Sequence, residues 1–395
     1  MIPVQDALGK VLALVAPLET ETVALRDALG RVMAAPAIAG LNQPPFSASA
    51  MDGYWLAEAD HQPGARLKVV EGEAAAGRSF GGTLARGQVV RIFTGAPVPA
   101  DTGVVVLQEN VTRSGDTITL PETLESNHNI RPLGQDFTKG ESFHPKRRLS
   151  ARDLGLLAAM NVPEVAVHRR PVVAIIATGD ELVMPGESPG PDQILCSNNF
   201  LIGAMAEAAG AEVRMLPIAR DDAESLRTVF ALAQGADLVV TSGGASVGEH
   251  DLVGTVAAEL GLERAFWKIA MRPGKPLMAG RLGDAAMLGL PGNPVSATVC
   301  GHLFLLPMLE RMQGLEAGHR LQQAVLTDPV GPTGPRTHYM RAKLTPQDGT
   351  LPAITAFSNQ DSALLGVLSE ADALLVRPLG DGPRAAGDIV GYLPL

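Results

Sequence analysis

The sequence predicts a multidomain α/β plus β protein, built on a three-layer α/β domain with a mostly parallel sheet. Three observations carry that expectation. The chain has 395 residues, whereas one hydrophobic core stops growing near ~250–300 residues. Between residues 171 and 308, apolar strand-like runs alternate with helical patterns, as in a parallel sheet covered by helices. On either side lie short β-branched runs punctuated by turns, in a chain holding 43 glycines and 30 prolines.

Each element follows from its local pattern. Residues 6–15 and 25–33 repeat apolar side chains at helical spacing and are expected as helices. Pro44, Pro45 and a run of small residues interrupt the chain up to Gly53. Residues 67–70, 88–93, 104–107 and 117–120 alternate with Gly, Pro and Asp turns and form an expected β module. Ser150 is placed to cap a helix over 151–160. The unbroken apolar run 172–177 suits a strand buried on both faces. Helices over 199–209, 223–234 and 295–308 then interleave with strands over 212–216, 237–240 and 286–290. Strands over 323–326, 338–344, 353–357, 373–376 and 389–392 close the chain as a second β domain. The expected domains are 1–45 with 140–168, an inserted β module over 46–139, the α/β domain over 169–313, and 314–395.

Composition narrows the function. A net charge of −10 and 4% aromatic residues disfavour both a phosphate-backbone footprint and a base-stacking surface, so no nucleic-acid partner is expected. Any anionic ligand therefore needs a local cationic cluster. Cys196 and Cys300 are far apart and form no CxxC, which fits a reducing compartment. The N-terminus has no basic segment followed by an apolar run, and no stretch reaches the ~18 apolar residues of a membrane span. A cytoplasmic protein without membrane contact is expected.

Ligands of open α/β sheets bind beyond the carboxyl ends of the strands. Three strands here run into unusual loops: Thr178, Gly179, Asp180 and Glu181; Thr241 to Asp251, with Ser242, Gly243, Gly244, Ser246 and Gly248; and Pro291, Gly292, Asn293 to Ser296 opening a helix. Exposed backbone amides and a helix N-terminus make an oxyanion the natural guest. Tight turns alone would explain one such loop; three at one edge point to a site. Gly243 to Gly248 has P-loop spacing, but Glu249 stands where a lysine belongs. Residues 244–248 also spell GxSxG, yet Ser242 and Gly243 separate the strand from the supposed elbow, and nearby acids oppose an oxyanion.

Asp180, Glu181, Asp221, Asp222, Glu249 and Asp251 gather at the same edge. Singly these read as solvated loop charges; together they suit Mg²⁺, which takes one or two carboxylates and bridges to substrate phosphate. Lys268, Arg272 and Lys275 place three cations in eight residues after Trp267, the local anion clamp that an acidic chain requires. Metal-binding acids beside phosphate-binding cations point to phosphoryl or nucleotidyl chemistry.

The segments SAMDGY (49–54), RIFTGA (91–96), TGDEL (178–182), TSGGASVGE (241–249), FWK (266–268), RPGKP (272–276) and LPGNPVS (290–296) resemble the MoeA family. Those are molybdopterin molybdotransferases similar to the E domain of gephyrin. The resemblance is ordered and covers nearly the whole chain. It implies insertion of molybdate into adenylylated molybdopterin with Mg²⁺, releasing AMP and giving molybdenum cofactor. It also implies a MogA/MoaB-like α/β domain, an N-terminal mixed domain, a C-terminal barrel-like domain and a homodimer with a composite site. Implied partners are a molybdopterin adenylyltransferase and downstream molybdoenzyme maturation proteins. Carried over by position, functional residues fall on Asp52, Thr94, Asp136, Glu181, Asp221, Asp251, Lys268 and Ser362, with Asp221, Asp251 and Glu181 toward the metal. Arg272 replaces a family lysine, Gln135 a family acid, and Asp361 a family glycine. Alternatives are a non-catalytic dimeric scaffold of the same fold and the adenylyltransferase step itself.

Overall fold

The computed structural model describes residues 1–243 and 252–395. The chain forms two compact units: Met1–Glu21, Gly30–Ala34 and Val167–Leu395 in one, Thr22–Leu29 and Ala35–Ala166 in the other. The first unit opens with α1 (Val4–Ala13), whose Val4, Ala7, Leu8 and Val11 are buried at helical spacing. The helix expected over 25–33 is absent. Leu25–Asp27 makes a single 3-10 turn, and Gly30, at φ +74°, takes a backbone conformation that ends any helical continuation.

The smaller unit holds strands β1 (Gly53–Ala57), β2 (Arg66–Ala74), β3 (Gln88–Ile92), β4 (Gly103–Leu107), β5 (Thr112–Ser114) and β6 (Thr117–Thr119). They form one sheet in the order β4-β1-β3-β2-β6-β5. The expected β module is present, and β1 is an unexpected addition. Its residues follow directly on the small-residue run, yet they pair with β3 and β4 and are largely buried. Gly53 is required there, because a Cβ would collide with the Val106 carbonyl. Ser150 starts α2 (Ala151–Ala159) as expected, and its backbone amide donates to Asp153 Oδ2 at 2.6 Å.

In the larger unit β7 (Val172–Ala177), α3 (Asn198–Ala208), β8 (Glu212–Met215), α4 (Ala223–Leu232), β9 (Leu238–Ser242), α5 (Leu252–Glu259), β10 (Leu262–Trp267), β11 (Met271–Arg272), β12 (Met278–Leu282) and β13 (Ala285–Leu290) follow in order. The sheet runs β8-β7-β9-β13-β12-β10, parallel over the first four strands and antiparallel over the last two. Its centre is fully buried on both faces: Val173, Ile175, Leu238 and Val240 join one apolar cluster, Ala174, Ile176 and Val239 the other. That is the packing a continuous apolar strand anticipates. Beyond β13 come α6 (Pro294–Cys300), a π-helical segment (Gly301–Leu305) and α7 (Leu306–Met312), in place of one regular helix.

The remaining elements are β14 (Gln322–Leu326), β15 (Thr337–Thr345), β16 (Ala353–Ala356), α8 (Leu365–Glu370), β17 (Ala373–Arg377) and β18 (Ile389–Pro394). The sheet order β15-β16-β14-β18-β17 is closed by β15–β17 pairing, giving a five-stranded barrel. Strand β11 joins the other side of β15 in parallel, so the barrel is continued by a strand lent from the cationic turn.

Candidate active site

Parallel register builds the site. Ala177 pairs with Ser242, and Ser242 with Leu290, so three strands end level and their loops begin at Thr178, Gly243 and Pro291. A cleft of about 520 Å³ opens over this edge, lined by Thr178, Glu181, Ser242, Gly243, Pro291 and Asn293 among others. Ser296 and Cys196 also line it. Gly243 sits at φ +92°, and a Cβ there would approach the Thr178 carbonyl to 2.6 Å, so glycine is required for the loops to close together.

One residue that sequence reasoning missed ties these loops together. Asn198, the first residue of α3, donates from Nδ2 to Ser242 Oγ at 2.8 Å and to the Gly292 carbonyl at 2.7 Å. A carbonyl only accepts, so this bond fixes which end of the amide faces it. The other end, Asn198 Oδ1, is buried without a hydrogen-bond partner among the described residues, as is Thr178 Oγ1. Buried polar atoms at a cleft wall can serve a polar ligand or ordered water. In the third loop Asn293 Nδ2 donates to Ser362 Oγ at 3.0 Å, while the Ser362 carbonyl accepts from Val295 N at 3.1 Å. Ser362 is thereby held at the start of α6.

Three comparisons bear on this arrangement. Family models for the MoeA N-terminal region (domain I and II), a probable molybdopterin binding domain and the MoeA C-terminal region (domain IV) match residues 2–161, 174–311 and 323–395. The molybdopterin molybdenumtransferase of Haemophilus influenzae is 39% identical over 80% of this chain and 78% of its own. The chain belongs to the MoeA family. The Nostoc protein of the same name is 34% identical over 100% of this chain and 94% of its own. A molybdopterin biosynthesis MoeA protein from Pyrococcus horikoshii superposes with a TM-score of 0.84 at 25% identity, covering 100% of both chains. The MoeA-like fold expected from the sequence is therefore the fold observed.

Within this MoeA chain the acidic residues separate into different roles. Glu181 lines the cleft, and its carboxylate folds back over Gly179. Asp221 donates its backbone N–H to Asp180 Oδ1 at 3.2 Å, which brings those two loops together. Asp222 is the N-cap of α4, accepting from Ser225 N at 2.7 Å, so its carboxylate is engaged in helix capping. Gly244, Ser246, Gly248, Glu249 and Asp251 lie outside the described residues. Among the described residues no three His, Cys, Asp or Glu side chains form a metal cluster.

The cations lie beside the cleft rather than along its wall. Pro276 lines the cleft, whereas Lys268, Arg272 and Lys275 do not. Lys268 is held at φ +76°, a left-handed conformation unusual for a side-chain-bearing residue, and its Nζ stands 4.2 Å from the Trp267 ring centroid. Arg272 belongs to β11 and so faces the barrel strand β15. Arg336, which sequence reasoning also missed, acts electrostatically on His338 together with Arg272 and Arg377. Its signal was present as a basic residue just before a β run.

In the smaller unit Asp52 and Thr94 form one constellation. Asp52 Oδ1 accepts from Thr94 N at 2.8 Å and from Thr94 Oγ1 at 2.7 Å, and these bonds lower its pKa below the usual carboxylate range. Arg91 stacks over Tyr54 and Phe93 beside them. Asp136 sits on an exposed turn secured by its N–H to the Gln43 carbonyl at 2.9 Å. Cys196 and Cys300 are free and buried, and burial raises both thiol pKa values, which disfavours the thiolate form.

Proposed function

We infer that this chain is a molybdopterin molybdenumtransferase that acts in molybdenum cofactor biosynthesis. The observation that carries the reading is the cleft itself: three level loops, the second and third tied by Asn198, with Thr178 Oγ1 and Asn198 Oδ1 buried and unpaired among the described residues, in a chain of the MoeA family. Such a cleft suits a polar, phosphate-bearing heterocycle. The substrates on this reading are adenylylated molybdopterin and molybdate, and the products are AMP and the molybdenum-loaded pterin.

Thr178, Gly179, Ser242, Gly243, Pro291, Gly292, Asn293 and Ser296 would bind and orient the nucleotide-pterin. Glu181 and Asp221, with Asp251, would hold Mg²⁺; they offer only hard carboxylate oxygens, the donors this ion prefers. Mg²⁺ supplies charge neutralisation on the phosphates when bound. Lys268, Arg272 and Lys275, with Ser362, would hold the molybdate oxyanion. Asp52, Thr94 and Asp136 would serve the site of a second subunit in a homodimer, the role that the family resemblance implies for them.

A polar cleft of this kind favours ligand binding over a purely structural scaffold, since Thr178 Oγ1 and Asn198 Oδ1 are buried without partners among the described residues. The test is reconstitution in a defined mixture. The protein, adenylylated molybdopterin, molybdate and Mg²⁺ are incubated and then added to a cofactor-free molybdoenzyme. Recovery of that enzyme's activity only with the complete mixture is expected; no recovery would reject the reading.

A further inference from the structure

We propose that His338 is a proton-coupled member of the oxyanion subsite: neutral in the free protein, it takes up a proton when a tetrahedral dianion binds beside Arg272 and Arg336. The proposal rests on the reading that Arg272 belongs to the molybdate site.

The barrel ladder sets the geometry. His338 of β15 is directly opposite Arg272 of β11 on one side and directly opposite Arg377 of β17 on the other. Directly opposed residues share a face of the sheet, so three basic side chains form one row across three adjacent strands. Arg336 lies two residues before His338 and joins the same group of charges. The charged groups facing the imidazole are thus Arg272 from β11, Arg377 from β17 and Arg336 from its own segment.

Only one of these arginines is neutralised. Arg377 is buried and donates from Nε to Asp381 Oδ2 at 2.5 Å and from Nη1 to the Gly331 carbonyl at 3.2 Å. The guanidinium groups of Arg272 and Arg336 have no hydrogen-bond or ion-pair partner among the described residues. Like charges directly opposite each other in a sheet are destabilising. The row is therefore electrostatically incomplete until an anion joins it.

The histidine is the adjustable part of that row. Burial first, and then the charges of Arg272, Arg377 and Arg336, push its pKa down to about 4. Near neutral pH the free imidazole is uncharged, with one N–H donor and one acceptor nitrogen. A bound dianion offsets the charges of Arg272 and Arg336 and itself faces the ring, which raises that pKa and turns both ring nitrogens into donors. Four oxygens of a tetrahedral oxyanion can use those donors. Binding thus consumes a proton, and affinity rises as pH falls.

The experiment is calorimetric titration of the intact protein with micromolar molybdate, in pairs of buffers with different ionisation enthalpies, from pH 8 to pH 6. Uptake of up to about one proton per molybdate is expected, with Kd falling by up to ~10-fold per pH unit. His338→Gln should still bind molybdate but show no proton uptake and a flat pH profile. The ring Cε1 resonance of His338, followed by NMR in labelled wild-type protein, should move to the protonated position on binding, a readout that needs no variant. Binding without proton uptake would overturn the role of His338 while leaving the molybdate site intact. Undiminished uptake in His338→Gln would do the same. Failure to bind molybdate at all would overturn both this proposal and the assignment of Arg272.

Discussion

Replacing Asn198 by alanine removes the two hydrogen bonds that join the second and third loops of the cleft, to Ser242 Oγ at 2.8 Å and to the Gly292 carbonyl at 2.7 Å. Each such bond contributes ~0.5–1.5 kcal/mol net, so the loops lose about 1–3 kcal/mol of mutual support. Spent entirely on ligand affinity, that is roughly a 5- to 150-fold loss. The substitution also deletes Oδ1, a buried acceptor without a partner among the described residues that the proposed ligand would use, so the upper half of the range is expected. Asn198→Asp is the sharper companion. It keeps an acceptor but turns a carboxylate toward the Gly292 carbonyl, and should bind no better than the alanine variant. The assay is equilibrium titration with AMP and with adenylylated molybdopterin, alongside thermal denaturation to separate loop order from global stability. Wild-type affinity and turnover in Asn198→Ala would refute the reasoning, because the loops would then be positioned without their cross-link.

Asp221→Ala and Asp251→Ala are each expected to abolish Mg²⁺-dependent AMP release, and Asp221→Ala should keep Tm close to wild type because a substitution at its exposed position changes stability by ~0.5 kcal/mol or less; a Mg²⁺ titration reads the loss. On the proposed dimer with a composite site, mixing Asp52→Ala subunits with Asp251→Ala subunits should restore part of the activity, because a mixed dimer would keep one intact site, and sedimentation as a monomer at assay concentration would contradict this. Lys268→Ala should weaken ligand binding or turnover by roughly 10- to 100-fold, less so at high salt, as expected for a charge-assisted phosphate contact of ~1.5–3 kcal/mol. Arg272→Lys should cost little if only charge is used, and a large loss would show that the planar guanidinium matters. Asp153 accepts from Ser150 N, Ser150 Oγ and Arg147, with the Arg147 bonds the largest cause of its strongly lowered pKa. Its stabilisation is therefore present above its unfolded pKa near 4 and fades as pH falls further. Asp153→Asn should lower stability at pH 7 by about 1–3 kcal/mol and flatten the acid limb of the unfolding curve.

Much of this architecture was legible because single residues carry strong local signals. The apolar run that became β7 had no polar position to offer solvent, and it is buried as the centre of the sheet. The Ser150 cap is visible from a serine followed three residues later by an acid. The false helix over 25–33 arose because apolar spacing ignores Gly30, whose positive φ ends the turn. The strand 53–57 was hidden by its neighbours: Gly53 reads as a turn former, although its missing side chain is what lets β1 approach β4. In the cleft, glycine-rich loops after strands were readable, but register was not, and it is register that brings Thr178, Gly243 and Pro291 level. Asn198 and His338 were missed for one reason. Their significance comes from what lies opposite them in space, with only the polar Ser197-Asn198-Asn199 triplet at a helix start hinting at the first. Asp222 shows the converse, a carboxylate at the right edge that caps a helix.

The most direct test of the central claim is the stoichiometry of AMP release from adenylylated molybdopterin by the purified protein. With Mg²⁺ present, AMP release should depend on added molybdate and reach one equivalent per pterin, with the pterin becoming molybdenum-loaded in step. Tight binding of the nucleotide-pterin with no AMP released in the presence of molybdate and Mg²⁺ would contradict the account and leave the chain a scaffold.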